Sequence, residues 1–182
     1  MSRALVIVDY QNDFASPDGA LSVPGAEGIA DRLNELAASG EFAFVVATRD
    51  WHPPDHGSFV TSDAAGRWPV HCVVSTSGAE LHPALARDHV DLVLDKGTDP
   101  ATEGYSAFDA TGLGDLLRDR GVDELLVTGL ATDYCVKATA LDALAEGFAV
   151  TVELDAVRGV DLRAGDSARA LDEVRAAGGR LA

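Results

Sequence analysis

The chain has 182 residues, of which 14 are lysine or arginine and 30 are aspartate or glutamate, so its formal net charge at pH 7 is −16. A chain of this length is expected to form one domain over residues 1–182, with enough sequence to bury a full core. The acidic excess argues against binding to nucleic acid or to an anionic membrane surface, because both favour basic patches.

The N-terminal sequence and the cysteine content bear on the cellular compartment of the protein. The apolar run at 4–8 is too short for a secretory signal and is followed at once by Asp9. No apolar run approaches the length of a transmembrane span. Cys72 and Cys135 are the only cysteines, and without an export signal free thiols are expected. These features predict a cytoplasmic globular protein with no membrane partner, and they leave open whether it forms a homo-oligomer.

Short apolar runs alternate with helical patterns along the chain. The runs are rich in valine and leucine and predict buried strands at 4–8, 42–48, 90–94, 125–128 and 149–154. Helices are predicted between or after them at 26–39, 111–120, 133–146 and 164–177, each with a glycine just past its end. This alternation predicts a doubly wound α/β fold, with a mostly parallel sheet of five or six strands flanked by helices on both faces. The tail at 178–182 has too little apolar sequence to predict a final strand.

Four chemically active side chains each follow a predicted strand. In open α/β sheets, ligands bind beyond the carboxyl ends of the strands, and Asp9, Asp50, Lys96 and Cys135 all occupy such positions. The stretch 50–89 also breaks the alternation, and a loop this long in a compact domain is usually functional. We therefore expect these four side chains to meet at one edge of the sheet.

Cys135 lies where a predicted strand ends and a predicted helix begins. A thiol in the first turn of a helix is close to free backbone N–H groups, which favour the thiolate and can bind an oxyanion. A cysteine nucleophile also needs a base and a cation, which Asp9 and Lys96 could supply. Taken singly, each residue has a simpler explanation as a helix-capping aspartate, a surface lysine or a small buried cysteine. The direction of the pKa shift of Asp9 stays open, since burial raises it and Lys96 lowers it.

A cluster of metal-binding residue types occupies the long loop. Its members are Asp50, His52, His56 and His71. One carboxylate and three imidazoles suit Zn²⁺, Fe²⁺ or Mn²⁺ and leave positions open for water or a ligand. Asp55 is an alternative to Asp50, although the strand-end position favours Asp50. His82 and His89 are expected to be ordinary polar loop residues.

Three aromatic residues, Phe14, Trp68 and Tyr105, fall outside the predicted regular elements. Rings of this kind hold small flat substrates. Each of them alone could equally pack the loops together.

Together, these stretches resemble the isochorismatase-like cysteine hydrolases and, within them, the nicotinamidases (pyrazinamidases). The matching segments are Val-Asp-Tyr-Gln-Asn-Asp-Phe at 8–14, Thr-Arg-Asp-Trp-His-Pro-Pro-Asp-His-Gly-Ser-Phe at 48–59, Trp-Pro-Val-His-Cys at 68–72, Lys-Gly at 96–97, Gly-Tyr-Ser-Ala-Phe at 104–108, and 128–144. The block with Cys135 marks the superfamily, whereas the Asp–His loop specifies the branch. Ala107 stands where the family often has glycine, which leaves Tyr105 intact.

The resemblance implies an activity and a set of roles. The activity is hydrolysis of nicotinamide, and of pyrazinamide-like aromatic amides, to the acid and ammonia through a cysteine thioester, as in NAD salvage. The implied catalytic residues are Asp9 as general base and acid, Lys96 as supporting cation and Cys135 as nucleophile. The oxyanion hole would be the N–H groups of Ala131 and Cys135, with a cis Leu130–Ala131 peptide. One divalent metal ion (Zn, Fe or Mn) would be held by Asp50, His52, His56 and His71. Phe14, Trp68 and Tyr105 would enclose the substrate ring.

Three other functions are compatible with parts of this pattern. The first is a cysteine hydrolase of the same superfamily that acts on another small amide, such as a ureido or carbamoyl compound, although the metal loop argues against it. The second is a metallohydrolase in which metal-bound hydroxide attacks and Cys135 is structural. The third is a metal-binding scaffold without turnover. Cys72 is expected to be a packing residue in each case.

Overall fold

The computed structural model describes residues 2–60 and 66–182 and contains one six-stranded sheet. The strands are β1 (Ser2–Val8), β2 (Phe44–Asp50), β3 (Leu92–Lys96), β4 (Val122–Leu130), β5 (Ala149–Arg158) and β6 (Arg180–Leu181). Their order is β3-β2-β1-β4-β5-β6, and every neighbouring pair is parallel. The strand order reverses direction at β1, which makes the crevice between β1 and β4 the expected ligand position. The predicted doubly wound fold is confirmed.

Helices cover both faces of this sheet. They are α1 (Asn12–Ala15), α2 (Ala30–Ala38), α3 (Leu113–Asp119), α4 (Lys137–Ala145) and α5 (Asp166–Ala176). Successive strand residues point to opposite faces, so Leu5 and Ile7 of β1 pack in the core under α1 and α2. Ala4 and Val6 pack in the second core, with α3, α4 and α5. In the described part of the chain, no helix is long and apolar enough to cross a membrane.

The strand ends differ from the predicted ones in a way that matters for the site. The predicted second and third strands stop at 48 and 94, whereas β2 ends at Asp50 and β3 at Lys96. These two residues face each other in the β2–β3 register, because main-chain pairing continues past the apolar residues. The final strand, β6, also forms despite its short apolar sequence, because the backbone of Ala182 bonds to Val152 and Leu154.

Candidate active site

The carboxyl edge of the sheet brings Asp9, Lys96 and Cys135 into one buried cluster. Asp9 directly follows β1, Lys96 ends β3, and Cys135 lies in the turn between β4 and α4. All three side chains are less than a tenth exposed. The Nζ atom of Lys96 lies 2.8 Å from Oδ2 of Asp9 and 3.5 Å from Sγ of Cys135. A carboxylate oxygen of Asp9 lies within 4.8 Å of that sulfur, so the base, cation and thiol of the sequence hypothesis are neighbours.

Hydrogen bonds fix the orientation of Lys96. Its ammonium group donates to Oδ1 of Asp50 (2.6 Å), to the carbonyl of Gly104 (3.0 Å) and to Sγ of Cys135. The same ammonium group forms an ion pair with Oδ2 of Asp9 at 2.8 Å. Oδ2 of Asp9 therefore lies against the charge of Lys96 and within the same cluster as the Cys135 thiol.

Asp9 is held in an unusual backbone conformation. Its φ angle is +49°, in the left-handed region that aspartate tolerates better than most residues. Its Oδ1 atom accepts a hydrogen bond of 2.7 Å from the hydroxyl of Thr48 on β2. One oxygen is therefore anchored by Thr48, while the other, Oδ2, is left available for a proton.

Burial sets the protonation of this cluster. Burial raises the pKa of Asp9 to about 6, although Lys96 opposes the rise. Burial likewise raises the pKa of the Cys135 thiol, again against the attraction of Lys96. Burial lowers the pKa of Lys96, but Asp50 and Asp9 outweigh it and raise the pKa well above its usual value. At neutral pH the cluster holds an ionised Asp9, a charged Lys96 and a protonated Cys135.

Cys135 lies in the first turn of the helical segment after β4, as the sequence predicted, but this turn, Thr132–Val136, is π-helical and leads directly into α4. The carbonyl of Ala131 accepts the N–H groups of both Tyr134 and Val136 and so creates this wider turn. The N–H groups at a helix start were expected to favour the thiolate, whereas burial raises the pKa of the Cys135 thiol. The Leu130–Ala131 peptide is cis, as the resemblance implies.

The predicted metal ligands meet beside this cluster. Ligand atoms of Asp50, His52 and His71 lie within 4.8 Å of one another, and Nε2 of His52 is 3.5 Å from Oδ2 of Asp50. The His56 ring stacks on His52 with centroids 4.0 Å apart. His56 is not part of the close group, but its buried Nε2 has no partner among the described residues.

The imidazoles are presented as metal ligands usually are. Each uses Nδ1 to bond to the protein: His52 to the carbonyl of Gly97, His56 to the hydroxyl of Ser58, and His71 to the carbonyl of Pro69. The carbonyl oxygens beside His52 and His71 can only accept, so they fix an Nδ1–H tautomer and leave Nε2 for a metal. Nδ1 of His56 also accepts the N–H of Ser58 at 3.3 Å. A side chain at Gly97 would collide with His52, since a Cβ there would lie 2.5 Å from Cε1. The donor set fits a divalent metal ion.

The protonation states of His56, His71 and Asp50 suit metal binding, whereas His52 would have to lose a proton. Burial lowers the pKa of His56 and of His71, which keeps both imidazoles neutral. Burial also lowers the pKa of His52, but Asp50 outweighs it and raises that pKa. Burial raises and Lys96 lowers the pKa of Asp50, and the net shift is downward. The carboxylate is therefore ionised at neutral pH.

Two supporting residues were missed by the sequence analysis. The amide of the fully buried Gln11 accepts the N–H of Asp50 and donates to the Asp50 and Ala79 carbonyls. The buried Phe59 packs its ring 5.3–5.7 Å from all three imidazole rings. Gln11 lies in the Asp-Tyr-Gln-Asn-Asp stretch after β1, but its partners are 39 and 68 residues away, so no local pattern could reveal its role.

Above the thiol lies a small, mainly apolar cavity, which we name the catalytic pocket. Phe14, Trp68 and Tyr105 all line it, together with Leu21, Val23, Asp50, His71, Ala131, Tyr134, Cys135 and Val160. Trp68 donates its indole N–H to the hydroxyl of Tyr105 at 3.0 Å. The cavity measures about 30 Å³, room for only about two waters.

Cys72 lies outside this pocket, although it follows His71. It is a buried free thiol, and its N–H donates to Oδ2 of Asp13 at 2.7 Å. Burial raises its pKa. These contacts agree with a packing role.

Comparison with known proteins gives a consistent family. The model of the isochorismatase domain matches residues 3–182. The nicotinamidase of Escherichia coli (strain K12) is 44% identical, over 98% of this chain and 93% of its own length. The nicotinamidase/pyrazinamidase of Mycobacterium tuberculosis (strain ATCC 25618 / H37Rv) is 43% identical, over 96% of this chain and 95% of its own length.

Solved structures agree with these relatives. PnC1 from L. infantum, solved in complex with nicotinate, superposes with a TM-score of 0.93 at 37% identity and covers 100% of this chain and 92% of its own. The pyrazinamidase of Pyrococcus horikoshii, solved in complex with zinc, gives a TM-score of 0.90 at 43% identity and covers 100% of this chain and 99% of its own.

Proposed function

This chain belongs to the isochorismatase family, and from that premise we propose that it hydrolyses nicotinamide to nicotinate and ammonia through a thioester on Cys135. The observation that carries the proposal is the buried cluster of Asp9, Lys96 and Cys135 at the base of an aromatic pocket. The activities named for the relatives and the nicotinate bound by one structural neighbour support it. Pyrazinamide-like aromatic amides belong to the same proposed range, and NAD salvage is the process that the reaction would serve.

The first half of the mechanism forms the thioester. Oδ2 of Asp9 accepts the thiol proton as Sγ of Cys135 attacks the carboxamide carbon, and Lys96 stabilises the charges that result. The backbone N–H groups of Ala131 and Cys135 are proposed to bind the oxyanion; loss of one such donor typically costs about 2.7–4 kcal/mol. Asp9 then gives its proton to the departing nitrogen, so that ammonia leaves and the acyl group stays on sulfur.

The second half regenerates the enzyme. Asp9 accepts a proton from water, whose oxygen attacks the thioester carbon. The carbon–sulfur bond breaks and the proton on Asp9 passes back to the sulfur of Cys135. The acid leaves and loses its carboxyl proton to solvent to become nicotinate. A base with a pKa of about 6 suits this exchange because it is ionised at neutral pH and still readily protonated.

Asp50, His52, His56 and His71 are proposed to hold one divalent metal ion. The zinc in the P. horikoshii structure supports the presence of a metal, and the close approach of Asp50, His52 and His71 supports its position. When bound, such an ion supplies a point of attachment for the ring nitrogen, directly or through water. Phe14, Trp68 and Tyr105 would then hold the ring over Cys135. The cytoplasmic location and the single domain over 1–182 stay predictions, and the choice among Zn, Fe and Mn and the oligomeric state stay open.

The direct test is an assay of the purified protein with nicotinamide. We expect ammonia and nicotinate in equal amounts, with the metal content measured on the same sample. No ammonia from nicotinamide, but release from a ureido or carbamoyl compound, would favour the other superfamily activity. No release from either class, by metal-loaded protein, would favour a scaffold without turnover.

The pH dependence follows from Asp9. Because the base must be ionised and burial raises its pKa to about 6, kcat/KM for nicotinamide should be nearly constant at neutral pH. It should fall as the pH drops through about 6, by about tenfold per pH unit well below that value. Metal content must be measured across the same range, since protonated histidines also release metal. A flat profile down to pH 5 would contradict the role of Asp9.

Substitution of one proposed ligand tests the metal site. His71→Ala is expected to lower metal content after dialysis and to lower kcat/KM for nicotinamide by about 10–100-fold or more. His89→Ala is the matched control, because His89 is exposed and lies in the separate short 3₁₀ segment Arg87–His89. Equal metal content in the two variants, measured by elemental analysis, would remove His71 from the ligand set.

A further inference from the structure

The catalytic pocket adjoins two larger surface cavities, and one tyrosine separates it from each. Tyr134 lines both the catalytic pocket and a cavity of about 520 Å³, which we name the basic groove. Tyr105 lines both the catalytic pocket and a cavity of about 500 Å³, which we name the acidic groove. Tyr134 and Tyr105 are therefore each shared between the catalytic pocket and one larger cavity.

The two grooves carry opposite charge. The cationic side chains of the basic groove are Arg67, Lys137, Arg163 and Arg169. The charged side chains that line the acidic groove in the described part of the chain are Glu103, Asp109, Asp142 and Glu146. The basic groove is also lined by Asp133, Asp166 and Glu173, so its cations exceed its carboxylates by one, in a chain whose net charge is −16.

Much of the acidic charge in the basic groove is already engaged. Lys137 pairs with Glu173, and Arg169 pairs with Asp166. The carboxylate of Asp133 accepts the backbone N–H groups that follow Gly159 along the chain. Arg163 has no ion pair among the described residues, so its guanidinium remains available to an anion.

The wall formed by Tyr134 depends on ring packing. Its ring meets Trp68 edge-on, with centroids 4.8 Å apart and planes at 85°, and lies 5.6 Å from Tyr105. Its backbone N–H donates to the carbonyl of Ala131 and its carbonyl accepts the N–H of Lys137, whereas its hydroxyl enters no hydrogen bond among the described residues. Removing the ring would therefore open the wall while the main-chain bonds of the π-helical turn remain.

We propose that Tyr134 sets the upper size limit of the amides that the catalytic pocket accepts, and that the basic groove behind it binds anionic substituents, such as carboxylates, once that ring is removed. This inference rests on the proposed function for its substrate class. The wild-type protein then accepts one-ring amides and rejects those with longer substituents, because the Tyr134 ring occupies the path into the groove.

The test compares Tyr134→Ala with Tyr134→Phe, which keeps the ring. The substrates are nicotinamide and a series of substituted nicotinamides. Each substituted compound carries one short carbon chain on one of the free ring carbons, and the chain ends in a carboxylate, an ammonium or a methyl group. For at least one position, kcat/KM of the carboxylate compound relative to nicotinamide should rise about tenfold or more in Tyr134→Ala. The ratio should stay at the wild-type value in Tyr134→Phe.

Charge provides two further controls. Adding Arg163→Gln to Tyr134→Ala should remove most of the preference for carboxylate over ammonium and leave the methyl compound unchanged. Tyr105→Ala opens the pocket toward the acidic groove instead, so it should favour the ammonium compound. A gain in Tyr134→Ala that is equal for all three chain ends would overturn the anion-binding part of the proposal.

The size limit has its own contrary result. If Tyr134→Ala hydrolyses nicotinamide but no substituted compound gains, Tyr134 is not the limit. If Tyr134→Ala has no activity, calorimetry measures instead how tightly it binds the product acids of these amides. The affinity for the chain-bearing acid relative to nicotinate should then exceed the wild-type value, and an equal value would overturn the proposal. Tyr134→Leu replaces Tyr134→Ala if the latter does not fold.

A wild-type protein that releases no ammonia refutes the proposed function, whereas the binding ratios still test the size limit separately.

Discussion

Cys135→Ala is expected to lower kcat for nicotinamide hydrolysis by about 10⁴-fold or more, because no other group in the catalytic cluster can carry the acyl intermediate. Sγ of Cys135 is the sulfur within hydrogen-bond distance of Lys96. The substitution removes little volume, so folding, metal content and binding of nicotinate should stay close to wild type. Steady-state rates of ammonia release, with a sensitive end-point assay for the variant, measure the effect.

The control is the same change at the other thiol. Cys72 is also fully buried, but it lies outside the catalytic pocket, so Cys72→Ala should keep kcat within a few-fold of wild type. If Cys135→Ala retained wild-type activity, the thioester mechanism would be wrong, and the alternative in which metal-bound hydroxide attacks the amide would be favoured.

Lys96→Met is expected to lower the free energy of unfolding by about 3–5 kcal/mol, as well as to abolish activity. The ammonium of Lys96 is fully buried and lies 2.8 Å from Asp9 and 2.6 Å from Asp50. In the metal-free protein, removing the cation leaves Asp9 and Asp50 in a buried site without the positive charge of Lys96, and an uncompensated buried charge has a cost of that size. Urea denaturation of wild type and variant, at the same metal loading, measures the difference.

The matched control is Lys137→Met on the protein surface. Lys137 pairs with Glu173 at 3.2 Å, and both side chains are partly exposed. Such pairs contribute about 0–1 kcal/mol, so this variant should unfold close to wild type. A Lys96→Met protein as stable as the Lys137→Met protein would mean that the buried cluster relaxes or takes up protons without cost.

The layout of the site could be predicted from the sequence because each strand end can be recognised from the residues around it. Asp9, Asp50, Lys96 and Cys135 each follow or end an apolar strand, and the carboxyl ends of parallel strands share one edge. The observed strand order then places β1 between β2 and β4. The four side chains meet because of this topology, and no contact between distant residues had to be known.

The parts that the sequence analysis missed depend on long-range contacts. Tyr134 is a wall of the catalytic pocket because Trp68 and Tyr105 pack against it, and no pattern around Tyr134 indicates those partners. The raised pKa of Cys135 has the same origin, since its burial comes from segments far away in the chain. The π-helical turn Thr132–Val136 forms because the carbonyl of Ala131 accepts two N–H groups. The spacing of apolar residues does not reveal such a hydrogen-bond pattern.

The central claim is that Cys135 carries the acyl group, and a single rapid-quench measurement tests it. Wild-type protein is mixed with ring-labelled nicotinamide, stopped in acid within the first turnover, and digested for mass spectrometry. The account predicts a labelled nicotinoyl thioester on the peptide that contains Cys135. First-turnover formation of labelled nicotinate with no label on Cys135 at any time would contradict it.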